Sequence, residues 1–142
     1  MAKMEFKITA DHSADVIKEL NRKIDVALTK CGIVAENYAV LEIENKPRRV
    51  DTGLLRNSIT YALHGKGANK SSYHADDNSK SGSYSGTTDD SRNAVYIGSN
   101  VEYAQYVHEG TRRMTANRFL QKAVENYQGE YKDIIKTELK NN

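Results

Sequence analysis

The side chains of this sequence that could do chemistry are four histidines, many carboxylates and many serines. His108 precedes Glu109, as in the helical motif of zinc proteases, but the second histidine of that motif is missing because position 112 is arginine. The other histidines are scattered along the chain, and no serine stands in a nucleophile-elbow pattern. The sequence therefore predicts neither a metal site nor a hydrolase triad.

Two weaker patterns also fall short of a catalytic site. The segment Gly65–Ser71 resembles a phosphate loop, but it lacks the second glycine before the lysine and does not join an apolar strand to a helix. Glu102 and Glu109 lie about two helical turns apart and would line one helix face. A solvated or interface-lining edge is a simpler interpretation of these two than acid–base catalysis. We therefore expect no enzyme activity and no cofactor.

Arginines are concentrated in two groups. The first is Arg48, Arg49 and Arg56, and the second is Arg112, Arg113 and Arg118. Guanidinium groups bind both phosphates and carboxylates, so both groups of arginines are candidates for contact with DNA or with acidic residues of a neighbouring subunit. The net charge of +2, from 21 basic and 19 acidic residues, favours subunit pairing, and so does the lack of interleaved aromatic residues. A DNA-binding module stays as the alternative from a different functional class.

Length and composition predict one domain, residues 1–142, with a modest core. Hydrophobic residues make up 38% of the 142, and tryptophan is absent. Cys31 has no intramolecular disulfide partner and falls on a helical apolar stripe, so it is interpreted as a small buried hydrophobe. No stretch resembles a signal peptide or a membrane span, which predicts a protein kept in a reducing cytoplasm without membrane contact.

A long helix dominates the N-terminal third. Met4, Phe6 and Ile8 alternate with polar residues and predict a short strand. Asp11 or Ser13 can then cap a helix, and apolar residues recur every three or four positions from Val16 onward, which predicts a helix from Ser13 to about Ile43, roughly 45 Å long. Such a helix should overhang its own core and serve as a spacer or an oligomerisation surface. Pro47 should end it.

The middle of the chain predicts a two-stranded antiparallel sheet. A helical turn around Leu54–Arg56, capped by Asp51 or Thr52, leads into a strand at Ile59–Leu63. The segment Val95–Gly110 supplies the second strand and then a short helix. In it, Gly98 is expected to set a turn, Asn100 to cap the helix, and Gly110 to end it in a left-handed conformation.

The connection between these strands, residues 64–93, contains no Val, Ile, Leu, Met or Phe. We expect it to be mobile, because it has too little apolar surface to offset its ordering entropy. It is either tolerated padding or a segment that orders on binding. Four of its basic residues are candidates for contact with a partner or with the lumen of an assembly: Lys66, Lys70, Lys80 and Arg92.

A final amphipathic helix is predicted after Asn117 or Thr115, either of which could cap it, with Gly129 in its middle. The fold class is therefore α+β, a small antiparallel sheet flanked by a long N-terminal helix and a C-terminal helix, with a long mobile loop between two strands.

Three motifs in order resemble the tail-completion, or head-tail joining, proteins of long-tailed double-stranded DNA bacteriophages. They are VDTGLLRNSI, VYIGSNVEYAQYVHEGT and MTANRFLQKAV. The residues that match the family pattern are Asp51, Thr52, Gly53, Leu55, Arg56, Ser58, Ile59, Val95, Ile97, Gly98, Asn100, Tyr103, Ala104, Tyr106, Glu109, Gly110, Thr111, Met114, Ala116, Phe119 and Leu120. Gln105 and Arg118 stand where many members have proline, and residues 64–93 make an unusually long loop.

The resemblance implies a structural protein of the virion, assembled in the host cytoplasm. It implies a ring, expected to be a hexamer, at the head-proximal end of the tail, in contact with the tail tube protein and the head connector. DNA would pass through the ring without sequence-specific binding. A head-side closure or stopper subunit is the alternative. Candidate subunit-contact residues are Glu102, Tyr106, Glu109, Arg112 and Arg113.

Overall fold

The computed structural model describes residues 13–45 and 53–140. The predicted strand at residues 4–8, the predicted helix stop at Pro47, Arg48 and Arg49, and the proposed caps Asp51 and Thr52 lie outside these residues. The described elements are α1 (Ser13–Glu44), α2 (Leu54–Ser58), β1 (Thr60–Leu63), β2 (Ser72–His74), β3 (Ser81–Ser83), β4 (Val95–Gly98), α3 (Ala104–Glu109), α4 (Phe119–Glu125) and α5 (Gln128–Lys140). The α+β prediction is confirmed.

The long helix α1 is the spine of the fold. Its 32 residues span about 48 Å. Its C-terminal two thirds pack against α4, α5, β1 and β4, whereas residues 14–22 are all exposed. The predicted overhang is therefore confirmed.

Gly32 is the point of closest approach between α1 and the sheet. A Cβ at this position would lie 2.8 Å from Tyr61 Cδ2 and from Val95 Cγ2. The helix continues through Gly32 without interruption. The glycine is thus explained by space rather than by a break in the helix.

Strands β1 and β4 form the predicted antiparallel pair, with Thr60 opposite Gly98 and Leu63 opposite Val95. Gly98 ends β4 instead of forming a turn, and a Cβ there would meet nothing within 4 Å. The turn role predicted for Gly98 is therefore wrong.

The connection 64–93 is partly structured, contrary to the expectation of a wholly unpacked loop. It contains a second two-stranded sheet, β2 with β3, in which Tyr73 lies opposite Gly82. Tyr73 is 8% exposed and Ala75 is fully buried. Tyrosine and alanine supply the apolar surface that a search for Val, Ile, Leu, Met and Phe misses.

The core lies where α1, α2, β2, α3 and α4 meet. Its buried side chains are Ala39, Ile43, Leu54, Leu55, Ile59, Tyr73, Ala75, Val101, Val107, Phe119 and Ala123. Leu55, Ile59 and Phe119 of the family motifs are therefore core residues, and Leu120 and Ala104 are partly buried against them.

The C-terminal helix is divided into two. The break lies between Glu125 and Gln128, so Gly129 is in the first turn of α5 rather than mid-helix. Asn117 does not cap α4, because its amide lies buried in the core and donates to the backbone oxygen of Glu42 over 3.1 Å. Arg118 precedes α4 with a φ of 56°.

Candidate assembly surface

The α3 surface comprises six exposed side chains in and around α3: Glu102, Tyr103, Tyr106, Glu109, Arg112 and Arg113. Tyr106 is 57% exposed and Tyr103 is 38% exposed, so their predicted outward orientation is confirmed. Glu102 lies in the turn before α3, so it does not continue the helical face of Glu109. This surface combines two phenol rings with carboxylates and guanidinium groups.

Core contacts made by the inner side of α3 hold the helix in one orientation. Val107 is buried, and its carbonyl oxygen accepts a hydrogen bond from the backbone N–H of Asn117 over 3.0 Å. The ring of His108 meets the fully buried ring of Phe119 edge-on, with 5.3 Å between centroids. Core packing therefore leaves Tyr106 on the side that faces solvent.

The two ends of α3 differ from the prediction. Asn100 is not its cap: the Asn100 side chain accepts from the hydroxyl of Tyr73 and donates to the backbone oxygen of Ser83. Gly110 does end the helix with a positive φ of 82°, but its ψ of 171° is not the left-handed helical value. Thr111 and Met114 then bond to each other through their backbones and close a tight turn. Asn100 thus joins the 64–93 segment to the α3 surface.

One carboxylate of the α3 surface is already paired with basic side chains of the same chain. Glu109 Oε1 lies 2.8 Å from His108 Nδ1, and its other oxygen lies 3.9 Å from Arg118 Nη1. Arg112 and Arg113 are exposed in the turn that follows. A cleft of about 450 Å³ borders the same surface, lined by residues that include Lys80, Glu102 and Tyr103.

Arg56 makes its ion pairs inside the chain. Its Nη2 lies 2.5 and 2.6 Å from the two carboxylate oxygens of Asp76, and its Nη1 lies 3.5 Å from Glu44 Oε1. Hydrogen bonds from Asn57 and Arg56 hold the pKa of Asp76 below its usual value. The expectation that Arg56 pairs with a neighbouring subunit is therefore replaced by an internal role, in which it fastens the β2–β3 sheet to α2. Gly53, with a φ of 83°, lies directly beside this ion pair.

The basic residues of the 64–93 segment do not act alike. Lys66, Lys80 and Arg92 are exposed, as expected for contact with a partner. Lys70 instead turns inward, because its Nζ donates to the backbone oxygen of Asn57 over 3.0 Å and lies 3.9 Å from Glu36 Oε1. In the monomer Lys70 is therefore engaged within the chain, and its contact with a partner stays a prediction.

A second exposed apolar surface lies on the α1 overhang, which we define as residues 14–22. Val16, Ile17 and Leu20 are 62%, 51% and 48% exposed and project from one side of the helix. Arg22 pairs with Glu19 over 2.7 Å on this same segment. The overhang thus presents an unburied apolar stripe next to an internally paired charge.

An apolar cleft of about 310 Å³ lies between α1, β4 and α5. Cys31 is one of its lining residues, is 6% exposed, and has its Sγ 3.7 Å from the backbone oxygen of Tyr131. Burial raises the pKa of the Cys31 thiol. The interpretation of Cys31 as a buried hydrophobe is confirmed.

His64, which lies just after β1, is the centre of a charged cluster that has no signature in the sequence. His64 Nε2 lies 2.7 Å from Asp25 Oδ1 on α1, and His64 Nδ1 lies 2.6 Å from Asp90 Oδ1. The two carboxylates are 39 and 26 residues away in sequence. No local motif could have revealed them, since only the packing of α1 on the sheet brings them together.

Within residues 13–45 and 53–140, no group of three His, Cys, Asp or Glu side chains is arranged to hold a metal ion. In the same part of the chain, no helix combines the length and apolar character needed to cross a membrane. Comparisons with protein-family models, curated proteins and solved structures found no match for this chain.

Proposed function

We propose that this chain is a structural adaptor subunit that forms a ring at the head-proximal end of a phage tail and joins the tail tube to the head connector. The motif resemblance supplies the biological setting. The physical support comes from surfaces that the monomer leaves unburied. No catalytic step is part of the proposal.

The observation that carries the proposal is the α1 overhang. Val16, Ile17 and Leu20 are each about half exposed or more. Together with the rest of residues 14–22 they form about 14 Å of helix in which every side chain is exposed. An apolar helical stripe in water gains free energy by packing against another surface. A neighbouring subunit in a ring offers such a surface.

The α3 surface is the second proposed contact. Tyrosine and arginine are enriched at protein interfaces, because they supply large contact areas and directional hydrogen bonds. The exposed pairs Tyr103 with Tyr106 and Arg112 with Arg113 fit that description. Two different contact surfaces on one subunit imply head-to-tail association, which closes into a ring when the rotation permits.

Sedimentation velocity of the purified protein, alone and with tail tubes, tests the proposal together with electron microscopy of tails. An annular density that disappears with the protein is the expected result. Tails that show no annular density from this protein would refute the ring. Recovery of the protein with heads rather than tails would refute the tail position in favour of head-side closure.

Two variants test whether the α1 overhang and the α3 surface form the subunit contacts. Leu20→Ser should weaken ring formation by roughly 3- to 13-fold, since a leucine that is 48% exposed has about half of the roughly 1.5–3 kcal/mol of full burial left to gain. Leu139→Ser, at a leucine that is 40% exposed near the end of α5, is the matched control. Tyr106→Ala should weaken assembly while leaving the monomer folded, with Tyr96→Ala as its control. Unfolding of the Tyr106→Ala monomer would remove the α3 surface from the proposal.

A further inference from the structure

His64 lies between two carboxylates from distant parts of the chain. Its Nε2 is 2.7 Å from Asp25 Oδ1 and its Nδ1 is 2.6 Å from Asp90 Oδ1, and its side chain is only 13% exposed. A neutral imidazole has one N–H donor and one acceptor nitrogen. The acceptor nitrogen would then face a carboxylate oxygen at contact distance, which is repulsive. Both contacts are favourable only when the ring is the imidazolium, which donates from both nitrogens.

We propose that protonated His64 is a pH-sensitive clamp that fastens the last part of the 64–93 segment to helix α1. The clamp has three parts, namely Asp25 on α1, His64 at the end of β1, and Asp90 near the end of the connection. Loss of the proton removes one donor and leaves one carboxylate unsatisfied. This inference does not depend on the proposed function.

Other bonds define which residues the clamp controls. Residues 64–66 are joined to the end of the connection by backbone bonds from His64 to Ala94 and from Thr88 to Lys66, each 2.9 Å long. Between Thr88 and Ala94 the exposed stretch 89–93 is held to α1 only through Asp90 and His64, as far as the described residues show. Opening of the clamp should therefore loosen residues 89–93 and leave the β1–β4 pairing intact.

The charges around the clamp all act in one direction. The charged groups that face His64 are the carboxylates of Asp25, from α1, and Asp90, from the connection, within the described part of the chain. Hydrogen bonds from His64 to Asp90 and Asp25 raise the pKa of His64 above its ordinary value of 6.5. A raised pKa in the closed state means that the clamp stabilises below the ordinary pKa and is lost as the pH rises through the raised one.

Two measurements on the full-length protein test the clamp. Proton NMR of the histidine ring signals gives the pKa of His64, and nitrogen-15 relaxation gives the backbone order of residues 89–93 from pH 5.5 to 9. We expect a pKa above 6.5 and a loss of backbone order in residues 89–93 as the pH rises through that pKa. His64→Gln should show the lower order at every pH, because glutamine does not titrate.

His74→Gln is the matched control, since His74 lies on β2 with its Nδ1 against the backbone oxygen of Ala75, and the change should leave the backbone order of residues 89–93 unchanged. Asp90→Asn keeps the histidine and should lower its pKa towards the ordinary value, which covers the case of a poorly folded His64→Gln. A His64 pKa at or below 6.5 would overturn the proposal. So would equal backbone order of residues 89–93 in the wild type and in His64→Gln at low pH.

Discussion

Truncation of Tyr73 measures how firmly the long connection belongs to the folded domain. Tyr73 lies on β2 with 8% of its surface exposed, and its ring lies 5.5 Å from that of Tyr84. Its hydroxyl donates to Asn100 Oδ1, and its ring lies across Gly82, where a Cβ would clash with it. Tyr73→Ala removes all of these contacts at once.

The expected loss is about 3 kcal/mol in the free energy of unfolding. Truncation of a large buried aromatic side chain to alanine lowers the free energy of unfolding by about 3–5 kcal/mol. The lower end applies here, because Asn100 is exposed and water can replace the lost hydroxyl. The free energy of unfolding of a single domain is about 5–15 kcal/mol in total, so this loss is easily measured.

Urea unfolding followed by circular dichroism at 222 nm is the assay, because α1 dominates the helical signal. The midpoint should fall while the slope with urea stays constant. Tyr96→Ala, at a tyrosine that is 41% exposed, should cost less than about 1 kcal/mol. A loss below about 1 kcal/mol for Tyr73→Ala would show that residues 64–93 are not packed as described.

Three further changes probe single features of the fold. Gly110→Ala should cost about 1–3 kcal/mol, lowering the melting temperature in a thermal scan by several degrees, because φ is 82° and a Cβ would lie 2.8 Å from a backbone nitrogen. Cys31 should react with a thiol reagent only after unfolding in urea, because it is buried and its pKa is raised. Hydrogen bonds from Asn57 and then Arg56 lower the pKa of Asp76, so the ionised carboxylate stabilises the fold above about pH 4 and this contribution is lost as the pH falls. Asp76→Asn should therefore flatten the acid side of the curve of unfolding free energy against pH.

Each of these has a matched control. Gly129→Ala faces open space and should be neutral or slightly stabilising, and equal melting temperatures for it and Gly110→Ala would contradict the strain argument. Rapid labelling of Cys31 in the native protein would show that α5 does not cover it. Asp133→Asn, at an exposed carboxylate on α5, should follow the wild-type acid curve, and an Asp76→Asn curve parallel to it would refute the role of Asp76.

The elements in which apolar residues recur at a regular spacing were predictable from the sequence. The predicted helix from Ser13 to about Ile43 agrees with α1 within a residue at each end, because a capping residue and an apolar stripe on one side of a long helix are local signals. The pairing of β1 with β4 also followed, since these are the two apolar strands of the middle of the chain. Local patterns were sufficient wherever one side of an element is buried.

The misjudged residues are those whose roles depend on distant partners. Asn100 and Asn117 have side chains suited to helix caps, yet both bind groups far away in sequence. Lys70, which reaches α1 and α2, and the charges around His64 likewise have partners within the chain that no local pattern indicates. Tyr73 was undervalued because its burial depends on a neighbouring turn and strand rather than on its own periodicity.

Helices α1 and α5 pack against each other although they are far apart in sequence, and this separation matters while the chain is being synthesised. Cys31 meets Tyr131 across 100 residues of sequence, so α5, which covers part of the buried side of α1, is made about 100 residues after it. At about 5–20 residues per second a ribosome needs about 5–20 s to bridge that interval. Throughout it, Ala27, Cys31 and Ala35 lack their final neighbours and are open to chaperones or to nascent chains on adjacent ribosomes. Translation speed over the codons between Cys31 and Tyr131 should therefore influence how much of the protein is recovered in folded form.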